Sequence, residues 1–197
     1  MACVFDSGVI SGLVGAAIGG ACTLWGVHIQ QARTERAQQR EHERKLRAIV
    51  QAMRDEISTL WDIYKMTCGA ALEARPAGEP FDVYWPVTQT YMTIFESNAD
   101  RIGDISDGDL RQTLVRMYCI TKSHIDSFRM NNILFERLQT AQERARQEIS
   151  LANSVAVNTA YKGMAEYRTK SLDVSHAVLQ GLVTDALKRM DAFLANE

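Results

Sequence analysis

Residues Gly8 to Ile29, GVISGLVGAAIGGACTLWGVHI, contain no Asp, Glu, Lys or Arg, in a chain whose charged residues make up 23% of the whole. A run of this kind either crosses a bilayer or is buried in protein. A helix needs roughly 20 mostly apolar residues to cross the hydrocarbon core, so the segment is long enough to span. No second such run follows, and everything after it is polar and helical in pattern. The expectation is one transmembrane helix over 8–29, after a short tail over 1–7. A secretory leader would carry a basic start, whereas the only charged side chain before the run is Asp6. Gly20-Ala21-Cys22 faintly matches a lipoprotein cleavage site, but Gly19 stands where Leu is expected. A glycine-rich hairpin of a soluble domain is the other alternative.

Six of the twelve glycines fall in this segment. Gly8, Gly12, Ala16 and Gly20 recur every four residues, as do Ser11, Gly15, Gly19 and Thr23. Small residues at that spacing let two helix backbones approach closely, so Gly8, Gly12, Gly15, Gly19 and Gly20 are candidates for association within the membrane. The bland reading is that glycine is common in membrane helices. Trp25 fits an interfacial anchor.

Orientation follows from the flanks. Arg33, Arg36, Arg40, Arg44, Lys45 and Arg47 follow the run and no basic residue precedes it, so the positive-inside bias puts the C-terminal part in the cytoplasm of an inner-membrane protein. Residues 30–45 are polar, without Gly or Pro, and read as a charged helical stalk with favourable i,i+4 pairs at Glu41–Lys45 and Glu43–Arg47. Arg33, Arg36, Arg40 and Arg44 are candidates for contact with anionic lipid headgroups. Glu35, Glu41 and Glu43 dilute that field, which favours a plainly solvated stalk.

From 46 to 197 the pattern is that of a helical bundle. Leu46, Val50, Met53, Ile57, Leu60 and Tyr64 alternate steps of four and three, the seam of a helix packing on another. This helix is expected to end between Gly69 and Ala74. All three prolines, Pro76, Pro80 and Pro86, then mark a loop over 75–86. Its Phe81, Tyr84 and Trp85 read either as a clamp onto the bundle or as partner-docking anchors. Pro86 suits the first turn of a helix to about Ile102, with Gly103 stopping it in a left-handed conformation. Ser106 and Asp109 form a capping signature for the next helix. Its seam runs from Leu110 to Ile149, as one helix with a buried Asn131 or Asn132, or as two helices broken there. Residues 152–172 are read as helix from a smooth Ala and Gly face, and a last helix is read with Asp173 or Ser175 at its start and Val178 to Leu194 as its apolar positions. No strand alternation of useful length occurs, so the fold class is all-α: one N-terminal transmembrane helix, a charged stalk, then an antiparallel helical bundle.

Chemistry is hard to find. His42-Glu43 begins a zinc-protease pattern, but Leu46 replaces the second His. Asp173 and His176 read as a helix cap and a surface histidine, with no second pair to complete a two-metal site. Ser123, His124 and Asp126 scatter around a helix rather than aligning as a triad, and His124 reads as a satisfied packing residue. No phosphate-cradling glycine loop occurs. Cys3, Cys22, Cys68 and Cys119 show no pairing pattern and read as free thiols, the last two in a reducing compartment. A net charge of −2 argues against a nucleic-acid partner. No catalytic, metal or cofactor residue and no small-molecule substrate is identified.

Phe95-Glu96-Ser97-Asn98-Ala99-Asp100-Arg101-Ile102-Gly103, followed by Asp109-Leu110, resembles a block of bacterial and prophage single-pass membrane-anchored helical proteins. The resemblance implies the same plan and a bacterial or prophage origin; it carries no activity, and no functional residue transfers. The expectation is a membrane-anchored, non-catalytic interaction protein, a scaffold, adaptor or sensor subunit. Its partners would be membrane lipid and either further copies of itself or another membrane protein. The alternatives are a phage-type lysis or envelope protein with a periplasmic helical rod, and a regulatory subunit of a membrane enzyme or transporter.

Overall fold

A computed structural model describes the backbone of residues 7–87 and 90–195 and the side chains of residues 25–87 and 90–195. Among these the fold is all-α. The chain divides into two compact units, Met1–Leu46 and Arg47–Glu197.

Helix α1 is Ser7–Tyr64. In the first unit its described side chains are almost all exposed, including Trp25, Arg33, Arg36, Arg40 and Arg44. Local pairs one turn apart hold it: Gln31 on Glu35, Gln39 on Glu43, and the expected Lys45–Glu41 pair at 2.7 Å. Among the described residues no helix is long and apolar enough to cross a membrane. The side chains of residues 8–24, most of the expected span, lie outside the described set. Gly8, Gly12, Gly15, Gly19 and Gly20 are among them.

The second unit is an antiparallel bundle. Its helical elements are the end of α1, then α2 Ala70–Ala74, α3 Thr93–Ser97, α4 Gly108–Gln147, α5 Leu151–Tyr167 and α6 Asp173–Ala195. The seam residues Val50, Met53, Ile57, Leu110, Leu114 and Met117 are buried, with Leu179, Val183, Ala186 and Met190 of α6. Polar pairs fix the direction of packing. Arg47 reaches the Leu194 carbonyl, Arg54 reaches Asp191 and Tyr64 reaches His176, so α6 runs antiparallel to α1. Arg189–Asp109, Thr113–Asp185 and His124–Ser175 place it antiparallel to α4 as well.

Of the two readings of the Leu110–Ile149 seam the single helix holds, while its end and several other expectations are corrected. Helix α4 is continuous through Asn131 and Asn132 and ends at Gln147, before the almost fully exposed Ile149. Its cap is Asp107, not Ser106, with the carboxylate accepting from the Leu110 amide at 2.9 Å. No helix starts at Pro86. The described residues from there to Met92 are irregular, and the one-turn α3 begins only where Glu56 of α1 accepts from the amides of Ile94 and Phe95 and the Thr93 hydroxyl. That cap comes from a remote residue, which no local signature announces. Gly103 lies inside a 3-10 turn, Ala99–Asp104, and is not left-handed; among the described residues positive φ occurs at Gly78 and Met92.

Two single π turns interrupt the helices. Lys65–Gly69 links α1 to α2, and Arg168–Leu172 links α5 to α6. At the first, a Cβ on Gly69 would stand 3.2 Å from Tyr64 Cε1, so any larger residue would have to displace that ring slightly. At the second, Arg168 is buried and uses all five of its N–H donors. Nη1 donates to the Pro76 and Glu79 carbonyls, Nη2 to those of Leu72 and Arg75, and Nε to Asp173. The guanidinium thereby satisfies the exposed carbonyl end of α2 and fastens the start of the proline loop.

Candidate functional site

Tyr64, His124 and His176 come from three different helices and meet in the interior. The Tyr64 hydroxyl lies 2.7 Å from His176 Nδ1 and 3.0 Å from His124 Nε2. His124 Nδ1 lies 2.7 Å from Ser175 Oγ, and His176 Nε2 lies 3.0 Å from Glu73 Oε1. Glu73 also holds Lys65 at 2.5 Å. A polar chain thus runs Lys65–Glu73–His176–Tyr64–His124–Ser175. The two π turns flank it: Tyr64 immediately precedes the first, and Ser175 and His176 follow shortly after the second. On a regular helix, nine residues would carry Glu73 roughly half a turn round from Tyr64. The wider π turn re-phases the helix, so both residues address His176.

Burial pushes the His124 imidazole down to about 4, the charge of His176 adding to the effect, so His124 is neutral at neutral pH. Burial likewise raises Tyr64 above the usual phenol value, which keeps its proton on. The hydrogen bond from Lys65, then that from His176, holds Glu73 below the usual carboxylate range. Burial pushes the Cys68 thiol up to about 12, so it is no nucleophile. Ser175 beside His124 is not a hydrolytic pair: the far imidazole nitrogen faces a phenol rather than a carboxylate, and Ser175 does not line the cavity described next.

One side of this chain opens on a cavity of about 350 Å³, within the range of ligand sites, roughly 300–1,000 Å³. Tyr64 and His124 are its most buried polar lining groups, 7% and 3% exposed. Trp61, Trp85 and Tyr91 supply aromatic surface, and the exposed Ile63 and Thr67 lie at its outer edge. Met92 also lines it. That residue is buried yet holds φ at 63°, a left-handed conformation that costs a bulky side chain on the order of 1–3 kcal/mol. The hydrogen bonds of Glu56 to the turn that follows hold it there.

The loop wall is built by the two asparagines of α4. Asn132 takes both polar groups of the Trp85 backbone, accepting from its N–H at 3.1 Å and donating to its carbonyl at 2.6 Å. Asn131 donates to the Phe81 carbonyl at 3.0 Å. These residues therefore hold a loop in addition to occupying a seam. Phe81 is fully buried against Phe128, which removes it as a docking anchor. Trp85 packs edge-on to Phe128 at 4.6 Å and lines the cavity, and Tyr84 is half exposed. His176, read from sequence as a surface residue, is buried. His124 is the satisfied packing residue expected, with both ring nitrogens bonded. The stalk arginines Arg33, Arg36, Arg40 and Arg44 are exposed in the first unit and line none of the cavities described. Among the described residues no group of three or more His, Cys, Asp or Glu could hold a metal.

The sequence block Phe95–Gly103 spans the end of α3 and the 3-10 turn. Phe95 stacks on Tyr118 at 4.3 Å, and Glu96 accepts from the Tyr118 hydroxyl and pairs with Lys122. These contacts fasten α3 to α4 beside the cavity and add no reactive group. Compared with known proteins, the chain matches no protein-family model, no curated protein and no solved structure.

Proposed function

We propose that this chain is a membrane-anchored, non-catalytic sensor subunit whose helical bundle binds a small, largely apolar molecule. The observation that carries the reading is the cavity over Tyr64 and His124, bounded by a π turn, a left-handed Met92 and a loop held by asparagine side chains. Ligand sites are concave, mostly apolar and equipped with a few placed polar groups, and this cavity has those properties. Irregular helical turns and backbone strain gather at such sites. The polar groups beside it are hydrogen-bonded to one another, and burial keeps the Cys68 thiol protonated, which supports a binding role.

The anchor rests on the uncharged segment 8–29, and the basic residues that follow it favour a cytoplasmic bundle in the inner membrane of a bacterium. Lipid is then the partner of the N-terminal segment, and a second copy or another membrane protein is the recipient of the signal.

Two measurements test this. The full chain in detergent is heated with a panel of small uncharged amphiphiles, beside an Ile63→Trp variant that fills the cavity mouth. A subset of compounds should raise the unfolding midpoint of the wild type only. A panel that never separates the two proteins would overturn the sensor reading. A protease-sensitive tag after Glu197 should be protected in intact spheroplasts and cut after lysis. Cleavage without lysis would move the envelope alternative to first place.

A further inference from the structure

We infer that the occupant of the cavity is an uncharged aromatic molecule that donates one hydrogen bond, from a hydroxyl or N–H, to Tyr64 Oη. The inference rests on the sensor reading and names the ligand class for that site.

The proton count on Tyr64 carries it. A phenol has one hydrogen and two lone pairs. Two imidazole nitrogens face this oxygen at 2.7 and 3.0 Å. The Ser175 hydroxyl donates to the Leu172 carbonyl at 3.2 Å, so its oxygen accepts from His124 Nδ1–H. A neutral imidazole bonded that way leaves Nε2 as an acceptor, which takes the Tyr64 hydrogen, and His176 Nδ1 then donates to the Tyr64 oxygen and occupies one lone pair. What remains is one lone pair, an acceptor. The other hydroxyls with bonds already made point the same way. Thr121 donates to the Met117 carbonyl and Thr67 to the Ile63 carbonyl, both at 2.8 Å, so each offers only acceptor capacity. A ligand atom reaching this end of the cavity must bring the hydrogen itself. A carboxylate or a bare carbonyl brings none.

Charge is excluded by the lining. Among the described residues no Asp, Glu, Lys or Arg lines the cavity. Glu73 does not line it and already accepts from Lys65 and His176. An anion entering would lose hydration with no counter-charge, and a cation would have only ring faces and no carboxylate to replace its water. The aromatic character follows from the walls. Tyr64 lies 5.3 Å from Trp61 and 5.9 Å from Trp85, and Trp85 lies 6.3 Å from Tyr91, all in tilted arrangements; the four rings line the cavity, so a further ring entering it meets aromatic surface.

Four probes of one shape test the inference on the full chain in detergent: p-cresol, 4-methylanisole, 4-methylbenzoate and 4-methylbenzylamine. Binding is read by calorimetry and by the fluorescence of Trp61 and Trp85 in a Trp25→Phe background. Expected is the tightest binding for p-cresol, about tenfold over 4-methylanisole, the worth of one hydrogen bond. The ionised probes should bind more weakly than either. Tyr64→Phe should abolish the difference between cresol and its methyl ether while the ether still binds. If that variant does not fold, the wild-type ratio of cresol to ether decides alone. Equal binding of cresol and ether, or preference for either ion, overturns the donor assignment and leaves a sensing cavity standing. No binding by any of the four, together with the failed panel above, overturns both.

Discussion

His124 is the residue through which acid should act on the fold. Its environment consists of the Tyr64 hydroxyl, the Ser175 hydroxyl, the face of Phe128 and the neighbouring ring of His176, with Glu73 beyond. None of these touching groups is an anion, and burial holds its folded value at about 4 against an ordinary 6.5. Between those values the unfolded chain binds a proton that the folded chain refuses. Stability is therefore complete above about pH 6.5 and declines as pH falls towards 4, by on the order of 3 kcal/mol. Glu73, held below its ordinary 4.5, adds loss of the same sign only at lower pH. Urea unfolding across this range should show the slope in the wild type and a shallower one in His124→Gln. A flat wild-type profile between pH 6.5 and 4 would refute the assignment. The residues of the site were legible in part. Tyr64 continues the four-three spacing of its helix, His124 follows Met117 and Thr121 in the same rhythm, and His176 precedes Leu179 and Val183. Three ring side chains with polar atoms at seam positions on three helices are a signal of a buried polar layer. That the three lie at one level depends on the register of the helices, which spacing within each helix does not encode.

At the scale of elements, what local sequence rules miss is what distant side chains impose. Pro86 has the chemistry of a helix start, yet the carbonyl of its neighbour Trp85, which would accept the first intrahelical bond, is already engaged by Asn132 at 2.6 Å, and Asn132 holds the Trp85 N–H as well. The start of α3 waits for Glu56. The π turns are likewise invisible to periodicity, because each re-phases the pattern within a stretch that remains helix-forming. The segment read as helix over 152–172 and the separate last helix run together through the second π turn, so Asp173 begins no new helix in the backbone sense. The loop gives a direct test. Asn132→Ala removes an acceptor from the Trp85 N–H and a donor from its carbonyl in a half-buried setting. A loss of roughly 1–2 kcal/mol is expected, with protease cutting within 76–92 at lower enzyme concentration and altered Trp fluorescence. A variant that keeps wild-type stability and resists cleavage there would mean that Phe81 and Arg168 hold the loop without the asparagine.

For the whole molecule, the all-α class and the bundle followed from spacing, since four-three seams in a chain with no strand alternation find only other helices to be buried against. The function did not, because the groups that define the cavity are ordinary core residue types until the helices bring them together. The remaining step concerns the two units. The core side chains from Val50 onward, the cavity and the buried polar chain all belong to Arg47–Glu197, while the uncharged segment belongs to Met1–Leu46. A domain with its own core can fold alone. A chain of residues 44–197, which retains the buried Leu46, should therefore keep the helical circular dichroism and cooperative unfolding of the bundle and bind the same probes as the full chain. It should also leave the membrane fraction, in which the full chain is expected. If the shortened chain unfolds, the first unit contributes to the core after all. If it folds and the full chain is equally found away from membranes, the segment 8–29 is not an anchor, and the ligand-binding bundle would stand without it.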